Sequence, residues 1–310
     1  MIKKIVFFLL CVLLGVVFII SGWTKLFPIE PFEYTFVDLG FINWQIAPFV
    51  ARLMISGEFL IGTLLILNLD LHKFTYKLAI SLLIAFCIYL LLIILLVGNK
   101  GNCGCFGEVI QMTPLQALIK NIIMLMLLGI LYKYHEGWEV TNKKWKYVFY
   151  FLYAIIIVFP FIRNPIELNY SEVYLNKPED HFKLELDSLY SGATLNTPPK
   201  TLSKGKHLLA FMSLTCPHCR IAAKKMRIIH ERNPNISIYF ILNGDDENLK
   251  PFFEDTQTQD IHHCILNGRN FITLAGLSLP RLYLINNSIV EFDLDYIDLD
   301  QTEIEKWLKK

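Results

Sequence analysis

Five stretches of this sequence are long and apolar enough to cross a membrane: Ile5 to Gly22, Ile46 to Leu69, Leu78 to Gly98, Leu115 to Tyr134 and Trp145 to Ile162. A helix needs about 20 mostly apolar residues to span the hydrocarbon core, where no water is present to satisfy an open backbone. The whole chain agrees, with 54% apolar residues over 310 positions and a mean hydropathy of +0.43, too high for an ordinary soluble protein. Lys3 and Lys4 precede the first run as charges precede the core of a signal peptide. No small-x-small cleavage site follows, so the run is read as a retained helix. Cys11 follows Leu10 inside that run and makes a poor lipid-attachment site. A net charge of +1 without a long basic run excludes a nucleic-acid partner, which needs a concentrated Lys/Arg face.

Orientation follows from the positive residues, which stay on the cytoplasmic side of helix ends. Lys3, Lys4, Lys73, Lys77, Lys133, Lys143, Lys144 and Lys146 all fall on one side, against Lys25 and Lys100 on the other and Arg52 just inside the second run. With five spans, the loops Trp23 to Gln45 and Asn99 to Pro114 and everything after Ile162 are expected outside the cytoplasm. Trp23 and Trp44 on one side, and Trp138 and Trp145 on the other, fit interfacial aromatic belts.

After Arg163 the composition becomes that of a soluble domain, entered through Asn164, Pro165, Asn169 and Ser171. The pattern predicts a strand near Phe182 to Leu186, a loop to Gly205, a strand from His207 to Met212 and a helix from Pro217 to about Arg232. A strand at Ile236 to Leu242, a polar helix from Glu247 to about Thr256, a strand at His262 to Leu266 and a short helix at Phe271 to Leu274 follow. A hairpin from Arg281 to Phe292 turning at Asn286-Asn287 and a helix near Thr302 to Leu308 close an α/β arrangement.

Four of the seven cysteines form two close pairs. Cys216-Pro217-His218-Cys219 follows an apolar strand and opens a helix, with Pro217 in the first turn where its missing N–H costs nothing. Unpaired N–H groups at the helix tip favour the Cys216 thiolate, the actual nucleophile. His218 adds a charge or a donor, and Cys219, one turn on, resolves a mixed disulfide. The alternative for such a pair is half of a zinc site. Its other half would have to come from His262, His263 and Cys264, but strand alternation makes Cys264 a buried small residue.

The second pair, Cys103 and Cys105, lies in the outer loop Gly101-Asn102-Cys103-Gly104-Cys105-Phe106-Gly107-Glu108, where glycines permit tight turns. A disulfide closing so small a ring is expected to be strained and easily reduced, which suits a relay. A structural bridge or half of a metal site are the alternatives.

From about Asn169 to Lys310 the chain resembles the thioredoxin superfamily. The Cys-Pro-His-Cys motif is similar to that of DsbA-type oxidases, and attachment behind a membrane segment is similar to the tethered TlpA and ResA proteins. The resemblance implies that Pro280, in Leu279-Pro280 before the strand Arg281 to Ile285, is the cis proline that abuts the active-site disulfide. Two departures are Leu214-Thr215 in place of a Trp before the first cysteine, and a helical insertion over Asp245 to Gln259. From Lys4 to Tyr134 the chain resembles the MauE and DoxX membrane families, through Ser21-Gly22-Trp23-Thr24-Lys25-Leu26, Gly57-Glu58 and Cys103-Gly104-Cys105-Phe106-Gly107. The cysteine loop points to MauE. That resemblance implies a link to thiol electron transfer or, by association alone, to methylamine-dehydrogenase maturation.

Glu58 lies deep in the second run, where an ionisable residue is a functional candidate by default. Lys120 or Arg52 is its expected partner, and a structural ion pair competes with a proton or quinone role. Lys25 and Lys120 are read as snorkelling to the outer interface, Asn121 as an interhelical donor, and Cys11 and Cys87 as packing residues.

The expected architecture is an all-α polytopic membrane bundle followed by an α/β thioredoxin-like domain. It divides into a four-helix membrane domain over 1–135, a cytoplasmic loop, fifth span and linker over 136–168, and the thioredoxin-like domain over 169–310. The expected function is disulfide exchange with extracytoplasmic protein thiols, on the periplasmic side of a bacterial inner membrane. Cys216, Cys219, His218, Pro217 and Pro280 form the centre, and Cys103/Cys105 pass electrons to or from a carrier such as quinone. No metal and no covalent cofactor is expected. The alternative is a membrane-anchored maturation factor with a client-specific thioredoxin-like module.

Overall fold

The computed structural model describes residues 2–40, 42–96, 98–99, 101–166, 174 and 181–310. Lys100, Asn169 and Ser171, used above for orientation and the linker, lie outside the described residues. The chain divides into two units, Met1–Ile166 and Glu167–Lys310.

The first unit is helical: α1 (Ile2–Leu26), α2 (Glu30–Asp38), α3 (Ala47–Leu67), α4 (Tyr76–Leu96), α5 (Pro114–Tyr134) and α6 (Lys143–Arg163), with a short strand β1 (Cys105–Glu108) between α4 and α5. Among the described residues, five helices are long and apolar enough to span a membrane, and they coincide with the five apolar runs. The π-helical turn Leu71–Thr75 leads directly into α4. The loop between the first two spans is not structureless. It holds α2, started by Pro31 with Glu30 and Glu33 in its first turn, where carboxylates oppose the helix dipole favourably.

In lipid the hydrophobic effect does not hold helices together, so close packing of small residues must contribute. Gly15 of α1 and Gly62 of α3 supply it. A Cβ on Gly15 would lie 2.7 Å from the Gly62 carbonyl oxygen, and one on Gly62 2.8 Å from that of Gly15. Around this crossing Cys11, Leu14, Phe18, Ile61 and Leu65 join Tyr76 and Leu128 in one buried cluster. Cys11 is thus a packing residue. Ser56 Oγ donates to the Ile157 carbonyl at 2.7 Å and Arg52 Nε to the Asn164 carbonyl at 2.7 Å, fastening α6 to α3.

The second unit is built on a seven-stranded sheet in the order β2-β8-β7-β4-β5-β6-β3. The strands are β2 (Phe182–Lys183), β3 (Ala193–Leu195), β4 (Lys206–Ser213), β5 (Ile238–Asn243), β6 (His262–Leu266), β7 (Arg281–Asn286) and β8 (Ile289–Leu294). β4, β5 and β6 are parallel, while β7 and β8 add antiparallel. β4 and β5 read as near-continuous apolar runs because helices cover both faces of a parallel sheet. The second unit is an α/β domain, as expected.

Local boundaries differ. The first strand stops at Lys183, and Asp187–Gly192 is helical, followed by β3, where a loop was expected. These elements are short and polar, and tertiary pairing with β6 decides them. The polar insertion is a 3-10 turn, Asp246–Asn248, running into the helix Leu249–Thr256. The hairpin turns at Asn287-Ser288, both with positive φ (49° and 66°), one residue later than expected. Two positive φ values in succession suit the twist of a two-residue hairpin.

Candidate active site

β4 delivers the chain to Cys216, the N-cap of the helix Pro217–Arg232, with Pro217 in its first turn. Cys216 Sγ accepts the backbone N–H of Cys219 at 3.4 Å. Cys219 is fully buried, and its Sγ accepts the Ser213 N–H at 3.3 Å. All seven cysteines are free thiols. The Cys219 thiol, hydrogen-bonded to Cys216, pulls the Cys216 pKa down to about 6; the Cys219 and His218 N–H groups and the His218 charge assist, while burial opposes. Cys219 moves well up, because its proton serves Cys216 and because it is buried. The partner thiol therefore leads, ahead of the helix-tip N–H groups and the His218 expected from the motif. One part-exposed thiol favoured as its anion beside one buried thiol is the asymmetry that disulfide exchange requires.

Pro280 is buried and its peptide bond with Leu279 is cis. β7 pairs Arg281 with Phe211 of β4, which brings Pro280 to the end of the sheet from which Cys216 emerges. His218 is exposed, with its ring 6.0 Å from that of Tyr296. Residues outside the motif hold this corner. Arg220 donates to the Leu214 carbonyl at 3.1 Å and pairs with Asp255 at 3.2 Å, while Lys224 reaches Asp255 at 3.0 Å. The inserted helix is thereby clamped onto the helix of the cysteine pair. Buried Lys225 donates to the Tyr296 and Ile297 carbonyls. The sequence signal for these is the basic set Arg220, Lys224 and Lys225 within two turns of Cys219.

Cys264 is fully buried in the sheet core, and burial pushes its thiol up to about 12, which leaves it unreactive. Among the described residues no group of three or more His, Cys, Asp or Glu is placed to hold a metal.

The loop of the second pair folds back into the bundle. Cys103 and Cys105 are buried, 4% and 6% exposed, in a cluster with Leu90, Ala117 and Leu118 and with Cys87 packed against it. The pair, expected in an outer loop, is covered. Gly107 explains the fit: at φ +58°, a Cβ there would lie 2.1 Å from the Thr24 carbonyl oxygen of α1. The hydrogen bond from Cys103 draws the Cys105 thiol below its ordinary value; the Lys25 and Lys120 ammoniums assist, and burial opposes. Cys103 is raised in turn, first by that bond and then by burial.

Glu58 is buried as expected, but its partner is Lys25, with Nζ 2.5 Å from Oε1. Arg52 instead pairs with Glu33 at 2.5 Å. Lys25 is 1% exposed and does not snorkel, since Ser21 and Lys25 lie one turn apart on the face of α1 turned toward Glu58. Ser21 Oγ lies 3.0 Å from Glu58 Oε1, 2.7 Å from Lys25 Nζ and 3.1 Å from the Cys105 carbonyl oxygen. Lys120 sits with its ammonium 4.4 Å from the Phe106 ring centre. Ser21, Lys25, Glu58, Cys105, Lys120 and Asn121 line one small cavity with about 10 Å³ open to the centre of a water-sized sphere. That is room for about one water, and far too little for the ring of a quinone.

The family described as "Methylamine utilisation protein MauE" matches residues 3–134. Among solved structures, the thioredoxin domain of a thiol–disulfide oxidoreductase from Bacteroides vulgatus aligns at 18% identity and TM-score 0.31, covering 35% of this chain and 84% of that one. A secreted disulfide oxidoreductase of Mycobacterium tuberculosis aligns at 14% identity and TM-score 0.32, covering 40% and 97%. Protein TlpB of Flavobacterium psychrophilum is 30% identical over 291 residues, spanning 79% of this chain and 78% of the relative. The protein is a multi-pass membrane protein that belongs to the TlpB family and carries a MauE domain at its N-terminus.

Proposed function

We propose that the chain is a membrane-bound thiol–disulfide oxidoreductase that exchanges disulfides with protein thiols through Cys216 and Cys219. The observation that carries this is the Cys216 sulfur at a helix N-cap, its anion favoured by the neighbouring thiol of buried Cys219. In the reducing direction, Cys216 thiolate attacks a client disulfide, forming a mixed disulfide and expelling a client thiolate. Cys219 then attacks the Cys216 sulfur, releasing the reduced client and leaving Cys216–Cys219 oxidised. The oxidising direction is the reverse. Pro217 fixes the first turn, His218 contributes charge, and Pro280 flanks the site.

Cys103 and Cys105 are the proposed relay that restores this centre. Their burial means that the loop must lift before any exchange. Charge supports the reading of side and compartment: the Asp70 N–H donates to the Trp138 carbonyl, so the loops after α3 and α5 share one end of the bundle. Lys73, Lys77, Lys133, Lys143, Lys144 and Lys146 lie in or beside these loops, which favours that end as the cytoplasmic one and the cysteine loop as periplasmic.

The test uses the full chain in liposomes. Cys103→Ser and Cys105→Ser should leave a single round of exchange at Cys216 intact and stall repeated turnover; undiminished turnover in both would remove the relay. A Cys219→Ala variant should retain clients covalently on Cys216, and failure to trap any would remove the oxidoreductase reading. The covered Cys103/Cys105 pair also favours a second reading, in which the bundle is an anchor and the soluble domain a maturation module for one client. A pair that stays oxidised in cells throughout turnover, read by thiol alkylation, would select that reading.

A further inference from the structure

The cavity beneath the cysteine loop holds an uneven set of charges. Among the side chains that line it, Lys25 and Lys120 bring two amines, Glu58 one carboxylate and Cys105 one thiol. Glu58 is already bound to Lys25 at 2.5 Å, and its Oε2 is buried without a hydrogen-bond partner. Lys120 is half-buried, and an ammonium drawn partly out of water without its own counter-charge is costly. The set closes to zero if the thiol is an anion.

We propose that the bundle holds Cys105 as a buried thiolate, the fourth charge of a Lys25–Glu58–Lys120–Cys105 quartet, and that oxidation of the Cys103/Cys105 pair expels a proton from Lys120. The proposal rests on the reading of that pair as redox-active. The titratable groups around Cys105 are Lys25 of α1, Glu58 of α3, Cys87 and Tyr89 of α4, Lys120 of α5 and Cys103 of its own loop, and α2, which packs against β1, adds Asp38 on the far side of Tyr89. Lys120 is the mobile charge of the set, because Lys25 is pinned between Glu58 and Ser21. Cys105 thus becomes the attacking sulfur of the pair and Cys103 the resolving one.

The step balances. Cys105 thiolate attacks an incoming disulfide, forming one S–S bond and breaking another, and the first leaving thiolate takes the proton of Cys103. Cys103 thiolate then attacks the Cys105 sulfur, releasing the second leaving thiolate. Two electrons have moved to the incoming disulfide. The Cys105 anion is gone, so Lys120 has lost its counter-charge and gives up the second proton, which the second leaving thiolate takes. The water-sized cavity with the open Glu58 Oε2 offers that proton a polar stop at the loop.

The experiment uses the full chain with Cys216→Ser and Cys219→Ser in lipid nanodiscs, so that the loop pair is the reacting dithiol. Thiolate absorbance near 240 nm is followed against pH. The parent should carry the signal at neutral pH; Lys120→Gln should move its midpoint up by about one pH unit or more, the usual effect of an opposite charge removed from close range, and Lys120→Arg should keep it. Cys103→Ser should keep the signal and Cys105→Ser should lose it, which tests the assignment even if Lys120→Gln does not fold. Ferricyanide oxidation of the pair should release two protons per disulfide in the parent and one in Lys120→Arg, whose guanidinium does not deprotonate. No thiolate signal at neutral pH, an unmoved midpoint in Lys120→Gln, or equal proton counts would overturn the proposal. A sound thiolate signal beside normal turnover of the Cys103→Ser variant in liposomes would instead remove the relay alone.

Discussion

Cys216 and Cys105 each sit beside a second cysteine that hydrogen-bonds to them, and in both pairs the fold favours one anion at the expense of the other thiol. The surroundings divide them. At Cys216 the further support is backbone N–H at a helix tip, and the sulfur is part-exposed. At Cys105 the support is two lysine side chains in a covered pocket, and the loop must open first. One sulfur is poised for encounter; the other is poised for a partner that has already docked. An outward-facing reaction needs the first, and control over when electrons pass needs the second.

The largest effect expected from breaking this contrast lies in the ion pair under the loop. Lys25→Met should destabilise the membrane unit by about 3–5 kcal/mol, the range for stranding one member of a buried pair, and Lys25→Met with Glu58→Leu should recover most of it. Equilibrium unfolding in mixed micelles reads both. Next comes access. In the reduced full chain, a maleimide reagent should label Cys103 and Cys105 on the order of a hundredfold more slowly than Cys216, as for a segment whose opening costs about 2.7 kcal/mol. Equal rates would erase the contrast.

Gly107→Ala sharpens it, because a methyl group against the Thr24 carbonyl and a left-handed residue that is no longer glycine together cost about 1–2 kcal/mol. Labelling of the loop pair should rise by about tenfold while that of Cys216 stays put, and an unchanged loop rate would show that Gly107 does not hold the loop down. The smallest effect concerns pH. With its pKa near 6, Cys216 should alkylate at a constant rate above about pH 7 and tenfold more slowly per unit well below 6. His218→Ala should raise the midpoint less than Cys219→Ala does, since the neighbouring thiol is the leading cause. Linkage has the matching sign: the folded pKa lies below the ordinary cysteine value of 9.0, so this group's stabilisation of the reduced fold is complete above about 9 and fades as pH falls toward 6.

Much of this is legible in the sequence. The five spans are set by run length alone, and the helix Pro217–Arg232 by Pro217 in its first turn after an apolar strand. What stayed hidden was direction around a helix axis. Depth along α3 marks Glu58 as unusual, but a nearly uniform apolar helix gives no sign of which neighbour it faces. Lys25 was therefore assigned to the interface, although its spacing from Ser21 was in view. The covering of Cys103 and Cys105 was likewise invisible, because loop glycines signal permissive backbone and not the surface they press against. In the second unit, Asp187–Gly192 and β3 are too short for periodicity to register, and pairing with β6 settles them.

The contact of Gly15 with Gly62 acts at a distance on the charges. Gly62 stands one turn beyond Glu58 on α3, about 6 Å along the axis, so the two bare backbones work as a gauge that sets how near the carboxylate comes to Lys25. A single methyl inserted there would be a shim: the rods would spread, the amine and carboxylate would disengage, and a purely steric change in greasy surroundings would surface as altered acid–base behaviour under the loop.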